Sequence, residues 1–252
     1  MKKMKPKTKR ILLIIALVLL AVVCACGVYL GTYYHATDEA LATAENGAMT
    51  AAGDDTLYFI PPDDDGVYES AVVFYPGGKV QQEAYAPLCS ALAERGVLCA
   101  LVKMPFNLAV FDMNAADDVI SYMAEEFGCG DIYLAGHSLG GAMGSYYAAA
   151  NPQKLSGLIL LGAYSGKDLT GTDLRVLSIY GSQDGVLSRD KYAGSMAYMP
   201  ANFTETVLEG GCHAYFGSYG SQKGDGTPTI SNEEQITQTA DIIAAWIMRT
   251  EA

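Results

Sequence analysis

Histidine, tryptophan and basic residues are scarce in this chain of 252 residues, which contains three His, one Trp and 16 Lys and Arg. No Cys-x-x-Cys pair and no histidine-rich stretch occurs, so the sequence predicts no metal site, and we expect no cofactor. Six of the basic residues lie within residues 1–10, which leaves ten against 28 Asp and Glu in the remainder, a net charge of −18. Because such a surface repels nucleic acid and anionic lipid, we expect no nucleic-acid partner and a neutral or cationic small-molecule partner.

Residues 11–30 contain no charged residue, and a run of this length is sufficient to span a bilayer. The basic residues before it predict a cytoplasmic tail at 1–10, a single-pass anchor in the cell membrane at 11–30, and an extracytoplasmic location for the rest of the chain. Two alternatives stay open. The segment is cleaved as a signal peptide, although it offers no clean cleavage site, or it is lipidated at Cys26, although Cys24 is unusual at its position.

Residues 31–55 are small, polar and irregular, and they predict a tether. Residues 56–252 are long enough for one α/β domain with a substantial core. Four cysteines fall in this domain: Cys89, Cys99, Cys129 and Cys212. An exported location permits disulfides, and a Cys89–Cys99 pair is conceivable, but buried free thiols agree equally well with the sequence.

Short apolar runs alternate with helix-like stretches along the domain. The predicted strands are residues 56–60, 71–75, 97–102, 132–135, 158–161, 174–180 and 204–208. Asp112 is expected to cap one helix, and Ser231 with Glu234 has the spacing of a capping box for the last one. This alternation predicts a mostly parallel central sheet with helices on both faces, and a site beyond the carboxyl ends of its strands. Only about a dozen residues separate the strands near Leu161 and Leu174, which leaves no room for a cap domain.

The segment 131–151 has the pattern of a nucleophile elbow, in which a strand turns sharply into a helix at a reactive serine. An apolar run ends at Gly136, Ser138 follows two positions later, Gly140 two positions after that, and a helix-compatible run rich in small residues continues the chain. The turn presents the serine at a helix N-terminus, where unpaired backbone N–H groups favour negative charge. Ser138 is therefore the candidate nucleophile.

A serine hydroxyl needs an adjacent base, and the scarcity of histidine leaves few candidates. His35 falls in the predicted tether, and the elbow would point His137 away from Ser138. His213 follows the last predicted strand on a glycine-rich loop, so it is the candidate base. The orienting acid should lie between serine and histidine in the chain, and Asp184 directly follows a predicted strand, whereas Asp173 precedes it. Asp190 is expected in the next helix.

An oxyanion hole needs two backbone N–H donors. One is expected from Leu139, the residue after the nucleophile, and the other from the loop after the strand at 71–75, where we choose Gly78 and keep Lys79 as the alternative. Met104, Phe106 and Asn107 follow another predicted strand, and we predict that they line an acyl pocket on the same edge of the sheet.

Four motifs in this order resemble the α/β-hydrolase superfamily: Tyr75-Pro76-Gly77-Gly78, Gly136-His137-Ser138-Leu139-Gly140-Gly141, Gly181-Ser182-Gln183-Asp184 and Gly211-Cys212-His213. The resemblance covers about residues 56–250 and is greatest to small, cap-less bacterial members related to dienelactone hydrolases and carboxylesterases. It implies the α/β-hydrolase fold and acyl transfer to Ser138 followed by hydrolysis. Ser138 stands where true dienelactone hydrolases have cysteine, so their substrate is not implied.

We therefore expect an exported, membrane-anchored serine hydrolase that cleaves a carboxylic ester through Ser138, His213 and Asp184. A thioesterase, amidase, lipase or acyltransferase would use the same three residues. From a different class, a catalytically inactive hydrolase fold that binds a partner at the cell surface is the alternative.

Overall fold

The computed structural model describes residues 6–50, 55–62 and 68–249. The chain divides into two compact units, residues 1–33 and residues 34–252. The first unit consists of one long helix, α1, which runs from Pro6 to Gly31 and has no buried residue. Its most apolar window has a mean hydropathy of 3.3, so the helix is long and apolar enough to cross a membrane, as a signal sequence also is.

The described residues of the second unit form a sheet of eight strands in the order β1-β2-β4-β3-β5-β6-β7-β8. The strands are β1 (Met49–Thr50), β2 (Leu57–Phe59), β3 (Ser70–Tyr75), β4 (Leu98–Leu101), β5 (Asp131–His137), β6 (Gly157–Leu161), β7 (Arg175–Gly181) and β8 (Phe203–Leu208). β1 pairs antiparallel with β2, and β2 pairs antiparallel with β4. The remaining pairs of neighbours, in the order β4-β3-β5-β6-β7-β8, are all parallel. The predicted mostly parallel sheet is thus confirmed.

Helices cover both faces of this sheet, as the alternation of apolar runs predicted. They are α2 (Asp38–Gly47), α3 (Ala86–Ala93), α4 (Ala116–Phe127), α5 (Leu139–Ala150), α6 (Arg189–Ser195) and α7 (Asn232–Ile247). Alternate residues of β3 enter two separate cores: Val72 and Phe74 pack with α3 and α7, whereas Ala71, Val73 and Tyr75 pack with α4 and α5. A central strand that is buried on both faces has a continuous run of apolar residues, which is why the sequence predicted β3. Residues 162–174 form turns and contain no helix.

Part of the predicted tether belongs to the folded domain. Tyr34 forms a parallel bridge with Val80, Thr37 caps α2 by accepting from the N–H of Ala40, and β1 pairs with β2. The second unit accordingly begins at Tyr34, not at residue 56. The sequence did not predict that this segment is folded, because the buried residues of α2 are small alanines and the rest of the segment joins the domain through backbone pairing. Neither feature leaves a strong apolar pattern. Of the expected tether, residues 51–54 lie outside the described residues.

The two helix caps that the sequence suggested have different outcomes. Ser231 caps α7, since its side chain accepts from the N–H of Glu234 at 3.0 Å. Asp112 does not cap α4, which begins four residues later with Ala115 at the N-cap and no side-chain bond there. Residues 113–115 form a turn before α4. At the start of the helix, the Tyr75 hydroxyl accepts from the N–H of Ala116 at 2.8 Å.

The domain's cysteine thiols are free. Cys89, Cys99, Cys129 and Cys212 are all buried, so the alternative of buried free thiols describes this structure and the conceivable Cys89–Cys99 disulfide is not formed. Burial raises the pKa of the Cys89 thiol well above its ordinary value, and its contact with Cys99 adds to that shift. Neutral thiols of this kind behave as small apolar core residues.

Candidate active site

The turn between β5 and α5 has the backbone of a nucleophile elbow. Ser138 has φ 51° and ψ −117°, a strained conformation for a residue with a side chain, and it is the residue immediately before the first turn of α5. The turn is so tight that a Cβ at Gly136 would lie 2.5 Å from the backbone of Gly140 and Gly141. The glycine spacing is therefore required for β5 and α5 to pass each other, as the sequence predicted.

Sheet register brings the other candidate residues to the same edge. Tyr75 at the end of β3 pairs with Gly136, and Leu161 at the end of β6 pairs with His137. On the far side, Gly181 at the end of β7 pairs with Leu208 at the end of β8. The loops that follow these strands are therefore neighbours at the carboxyl edge, although they lie far apart in the sequence.

Asp184 and His213 form a buried pair at this edge. Oδ2 of Asp184 lies 2.8 Å from Nδ1 of His213, and the two side chains are 0% and 1% exposed. Oδ1 of Asp184 accepts from the N–H groups of Val186 at 2.9 Å and Leu187 at 2.8 Å. With Oδ1 held by these two N–H donors, Oδ2 is the oxygen that accepts from Nδ1–H of His213, which leaves the lone pair of Nε2 as the basic site of the ring.

Ser138 and His213 line the same cavity, whose volume is about 320 Å³. Nε2 of His213 is buried and has no hydrogen-bond partner among the described residues, and Ser138 is half-buried at the cavity wall. Hydrogen bonds between nucleophile and base are often formed only when substrate is bound, so the arrangement suits proton transfer from Ser138 to Nε2. The rest of the wall is Leu139, Ala142, Gly162, Ala163, Tyr164, Val186, Leu187, Ser188 and Lys191.

The hydrogen bonds of the loop after β3 distinguish the two candidate oxyanion donors. The N–H of Gly77 donates to the Tyr85 hydroxyl at 3.0 Å, and the N–H of Lys79 donates to the carbonyl of Asn107 at 2.6 Å. The N–H of Gly78, between them, has no acceptor among the described residues, and a Cβ at Gly78 would lie 2.8 Å from the side chain of Leu139. The geometry therefore favours Gly78 with Leu139 and argues against Lys79.

The three residues predicted to line an acyl pocket lie away from the Ser138 cavity. Met104 is buried, Phe106 is 58% exposed, and both line a separate cavity of about 860 Å³ whose described walls do not include Ser138 or His213. Asn107 contributes its carbonyl to the Lys79 N–H. The loop after β4 turns away because Phe106 and Asn107 both have a φ of 55°, a reversal that the sequence did not reveal. Their role in substrate binding stays a prediction without geometric support.

The sequence set aside His137 and did not single out Tyr85, yet together they support the loop after β3 that carries Gly78, called the oxyanion loop below for its predicted role. The Tyr85 hydroxyl lies 2.8 Å from Nδ1 of His137 and also accepts from the N–H of Gly77, so it joins the imidazole to the backbone of the loop. Burial raises the pKa of Tyr85 far above its ordinary value, and burial, together with the proximity of the His213 ring, lowers the pKa of His137 well below its own. His137 is therefore neutral, and its ring contacts that of His213 at 4.5 Å between centroids.

Gly162, after β6, is a second residue that the sequence did not single out. It has a φ of +51°, and a Cβ there would lie 2.9 Å from Nδ1 of His213 and 3.2 Å from Oδ2 of Asp184. Its N–H donates to the carbonyl of Ile179. Only a glycine both adopts this backbone conformation and leaves space for the buried histidine–aspartate pair.

Removal of the Tyr85 hydroxyl should disturb the oxyanion loop. In Tyr85→Phe, the N–H of Gly77 and Nδ1 of His137 lose their buried partner, which costs about 1–3 kcal/mol for each unsatisfied group. For the ester hydrolysis that the sequence predicts, we expect kcat to fall roughly tenfold, a fraction of the loss on removing a whole oxyanion donor. The matched control is Tyr147→Phe, which removes the bond from Tyr147 to Asp117 elsewhere in the domain. Equal kcat values for the two variants would contradict this prediction.

Comparison with known proteins agrees with this fold. The model of the "Alpha/beta hydrolase family" matches residues 71–237. Est1E from Butyrivibrio proteoclasticus has a similar structure with a TM-score of 0.60 and 15% identity, over 81% of this chain and 100% of that one. TT1662 from Thermus thermophilus has a TM-score of 0.56 and 16% identity, over 81% and 98%. No curated protein sequence matches this chain.

A lipase is also among the similar structures. A soluble variant of monoglyceride lipase from Saccharomyces cerevisiae, in complex with a substrate analogue, has a TM-score of 0.55 and 12% identity, over 80% of this chain and 94% of that one. At such low identity the structures establish the fold alone, while the family match spans most of the domain and includes the elbow, Asp184 and His213. By its sheet, its elbow and this match, the chain belongs to the alpha/beta hydrolase family.

Proposed function

We propose that this protein is a serine hydrolase that cleaves a carboxylic ester through an acyl-enzyme intermediate. One observation carries the proposal: the buried Asp184–His213 pair leaves Nε2 of His213 without a partner among the described residues, in the same cavity as Ser138. A buried imidazole with one nitrogen held by a carboxylate and the other unpartnered, in a cavity that a strained serine also lines, suits general-base activation of that hydroxyl.

In the first half of the proposed reaction, Oγ of Ser138 attacks the acyl carbonyl while Nε2 of His213 takes its proton. Asp184 keeps Nδ1 protonated and stabilises the resulting imidazolium. The N–H groups of Leu139 and Gly78 donate to the oxygen that becomes negative in the tetrahedral intermediate, where the N-terminus of α5 adds a favourable field. When the intermediate collapses, the C–O bond of the ester breaks and Nε2–H of His213 protonates the leaving alcohol.

The second half repeats these steps with water. His213 takes a proton from a water molecule that attacks the acyl-Ser138 carbonyl, the oxyanion is again held by Leu139 and Gly78, and collapse releases the carboxylic acid while Oγ of Ser138 regains its proton. His137 is not assigned as the base in either half, because it does not line the cavity of Ser138 among the described residues, and burial lowers its pKa, which disfavours the imidazolium that a base must become.

The cavity favours small, neutral acyl groups. It is about 320 Å³ in volume, and most of its wall consists of glycine, alanine and aliphatic side chains. The electrostatic field of the acidic surface acts on a substrate at long range, and salt screens it over roughly 8 Å at physiological ionic strength. Lys191, by contrast, lies in the cavity wall itself. A cationic group next to the reacting carbonyl would meet that lysine, so of the neutral and cationic substrates expected from the net charge we propose the neutral ones.

Hydrolysis of p-nitrophenyl esters tests the function and the size of the acyl group together. We expect kcat/KM to be at least roughly tenfold higher for acetate and butyrate than for palmitate, because the long chain extends beyond the cavity and forfeits about 1.4 kcal/mol of transition-state binding. A preference for palmitate would contradict an open, cap-less site. Absence of hydrolysis together with no labelling by a fluorophosphonate would favour the alternative of a binding module.

We further propose that α1 remains in the membrane and that the hydrolase domain is extracytoplasmic. Its length, its apolar composition and the basic residues before it support an uncleaved anchor. In cells, protease added from outside should degrade the domain, and detergent rather than high salt should be needed to release it. Release of a soluble, shortened protein would support cleavage, and labelling with a fatty acid that is lost on Cys26→Ala would support lipidation.

A further inference from the structure

Asp225 connects the two loops that carry the proposed acid and base. It lies between β8 and α7, and its carboxylate accepts from four backbone N–H groups. Oδ1 accepts from Gly185 at 3.1 Å, from His213 at 3.1 Å and from Gly226 at 2.8 Å, and Oδ2 accepts from Ala214 at 2.8 Å. Gly185 is the residue after Asp184. One carboxylate therefore binds the backbone N–H of His213 and the N–H next to Asp184.

Close backbone packing accompanies these bonds. A Cβ at Gly185 would lie 2.6 Å from the carbonyl oxygen of Gly224, and a Cβ at Gly226 would overlap the carbonyl oxygen of Gln183. The segment 224–226 is therefore pressed against the backbone of residues 183–185, and no side chain separates the two. Such an approach requires glycine at positions 185 and 226, while Gly224 has a φ of +90°, which favours glycine for its backbone conformation.

The charge of Asp225 suits this role. Partial burial by itself raises the pKa of the carboxyl group, but the N–H groups of Ala214, Gly185, His213 and Gly226 together lower it below its ordinary value. At neutral pH the side chain is therefore an anion that only accepts hydrogen bonds. An asparagine of the same shape has a single acceptor oxygen, and its amide group would face N–H donors.

We propose that Asp225 is a positioning residue of the active site, whose carboxylate holds the loop of Asp184 and the loop of His213 at the separation that the Asp184–His213 hydrogen bond requires. Asp225 does not touch the reacting atoms. Other bonds also join the loops, such as that from the N–H of Gln183 to the carbonyl of Gly211, but they lie nearer the strand ends. Asp225 is the contact that reaches the backbone of His213 itself.

This inference rests on the proposed function, because it matters for turnover only if His213 must change its protonation state while Asp184 remains in contact. A misplacement of about 1 Å can cost roughly a hundredfold in rate. Loss of the Asp225 contacts between the two loops should therefore reduce kcat. Substrate binding should change little, because Asp225 is not among the described residues that line the cavity.

The test is a double-mutant cycle on the full-length protein with p-nitrophenyl butyrate. We expect Asp225→Asn to lower kcat roughly 10- to 100-fold with little change in KM, and to shift or broaden the downfield proton NMR signal of Nδ1–H of His213. In an Asp184→Asn background, where the hydrogen bond that Asp225 positions is already lost, the same substitution should lower kcat by less than about threefold. Asp241→Asn, a change at an exposed carboxylate paired with Arg95, is the matched control and should leave kcat unchanged.

An unchanged kcat in Asp225→Asn, or an equal loss in both backgrounds, would overturn the positioning role, since the latter indicates general destabilisation. If the wild-type protein does not hydrolyse p-nitrophenyl butyrate, the proposed function fails. If it does but Asp184→Asn alone has no effect on kcat, Asp184 is not the orienting acid, and the positioning role of Asp225 fails while the hydrolase function stands. Should Asp225→Asn not fold, Asp225→Glu, which keeps the charge but lengthens the side chain, is measured in the same cycle with the same expected and contradicting outcomes.

Discussion

Replacement of Ser138 by alanine will remove hydrolysis and leave the domain folded. Without Oγ there is no nucleophile, and comparable deletions in serine hydrolases lower kcat by roughly 10⁵- to 10⁶-fold. Alanine adopts the strained backbone of residue 138 as readily as serine does, and the Ser138 side chain has no hydrogen bond among the described residues that its loss would break. Residual activity should therefore be near the background rate, with a circular dichroism spectrum and a Tm close to those of the unaltered protein.

Fluorophosphonate labelling provides the control for this experiment. The probe should modify the wild-type protein and should fail to modify Ser138→Ala. Ser188 lines the same cavity, so Ser188→Ala tests whether any serine there reacts, and we expect labelling of this variant to persist. Persistent labelling of Ser138→Ala, or its loss in Ser188→Ala, would show that Ser138 is not the nucleophile.

Replacement of Asp184 by asparagine will lower kcat by roughly 10⁴-fold with little change in KM, the loss known for the equivalent change in another serine hydrolase. The reason is geometric. Oδ1 accepts from the N–H groups of Val186 and Leu187, so the amide oxygen of asparagine must take that place. The amide NH₂ group then faces Nδ1 of His213 and donates to it, which moves the imidazole proton to Nε2. In that tautomer His213 has no lone pair with which to take the proton of Ser138.

Asp173→Asn is the control for the loss of one negative charge. Asp173 is exposed and precedes β7, so it lies at the opposite edge of the sheet from the site. We expect its substitution to leave kcat within about twofold of wild type, since surface changes away from specific contacts have small effects. If Asp184→Asn retains most of the wild-type activity, the orienting acid is another residue and the assignment of Asp184 is wrong.

Two kinds of information determine this site. The apolar runs of the central strands, the glycine spacing around Ser138 and the capping pair at Ser231 are local patterns, and each follows from constraints on a few adjacent residues. The scarcity of histidine then restricts the candidate base to His213. Sheet type, elbow and order of candidate residues were therefore predictable without coordinates, as was an apolar helix near the N-terminus.

Contacts between distant residues could not be predicted in this way. The choice of Gly78 over Lys79 depends on Tyr85 and Asn107, which occupy the N–H groups of the neighbouring residues. The inclusion of residues 34–50 in the domain depends on pairing with Val80 and with β2, and the direction of the Met104–Asn107 loop depends on two residues with positive φ.

The sequence by itself determined which chemical groups are present and roughly where each lies along the strands: one elbow serine, one histidine and one aspartate at strand ends. Only the tertiary structure decided which groups support them, namely Tyr85 and His137 behind the oxyanion loop, Gly162 beside the histidine–aspartate pair, and Asp225 between the two loops. The physical reason is that a hydrogen bond depends on distance in space. The bond from Gly185 to Asp225 spans 40 residues of chain, and no local pattern in the sequence encodes it.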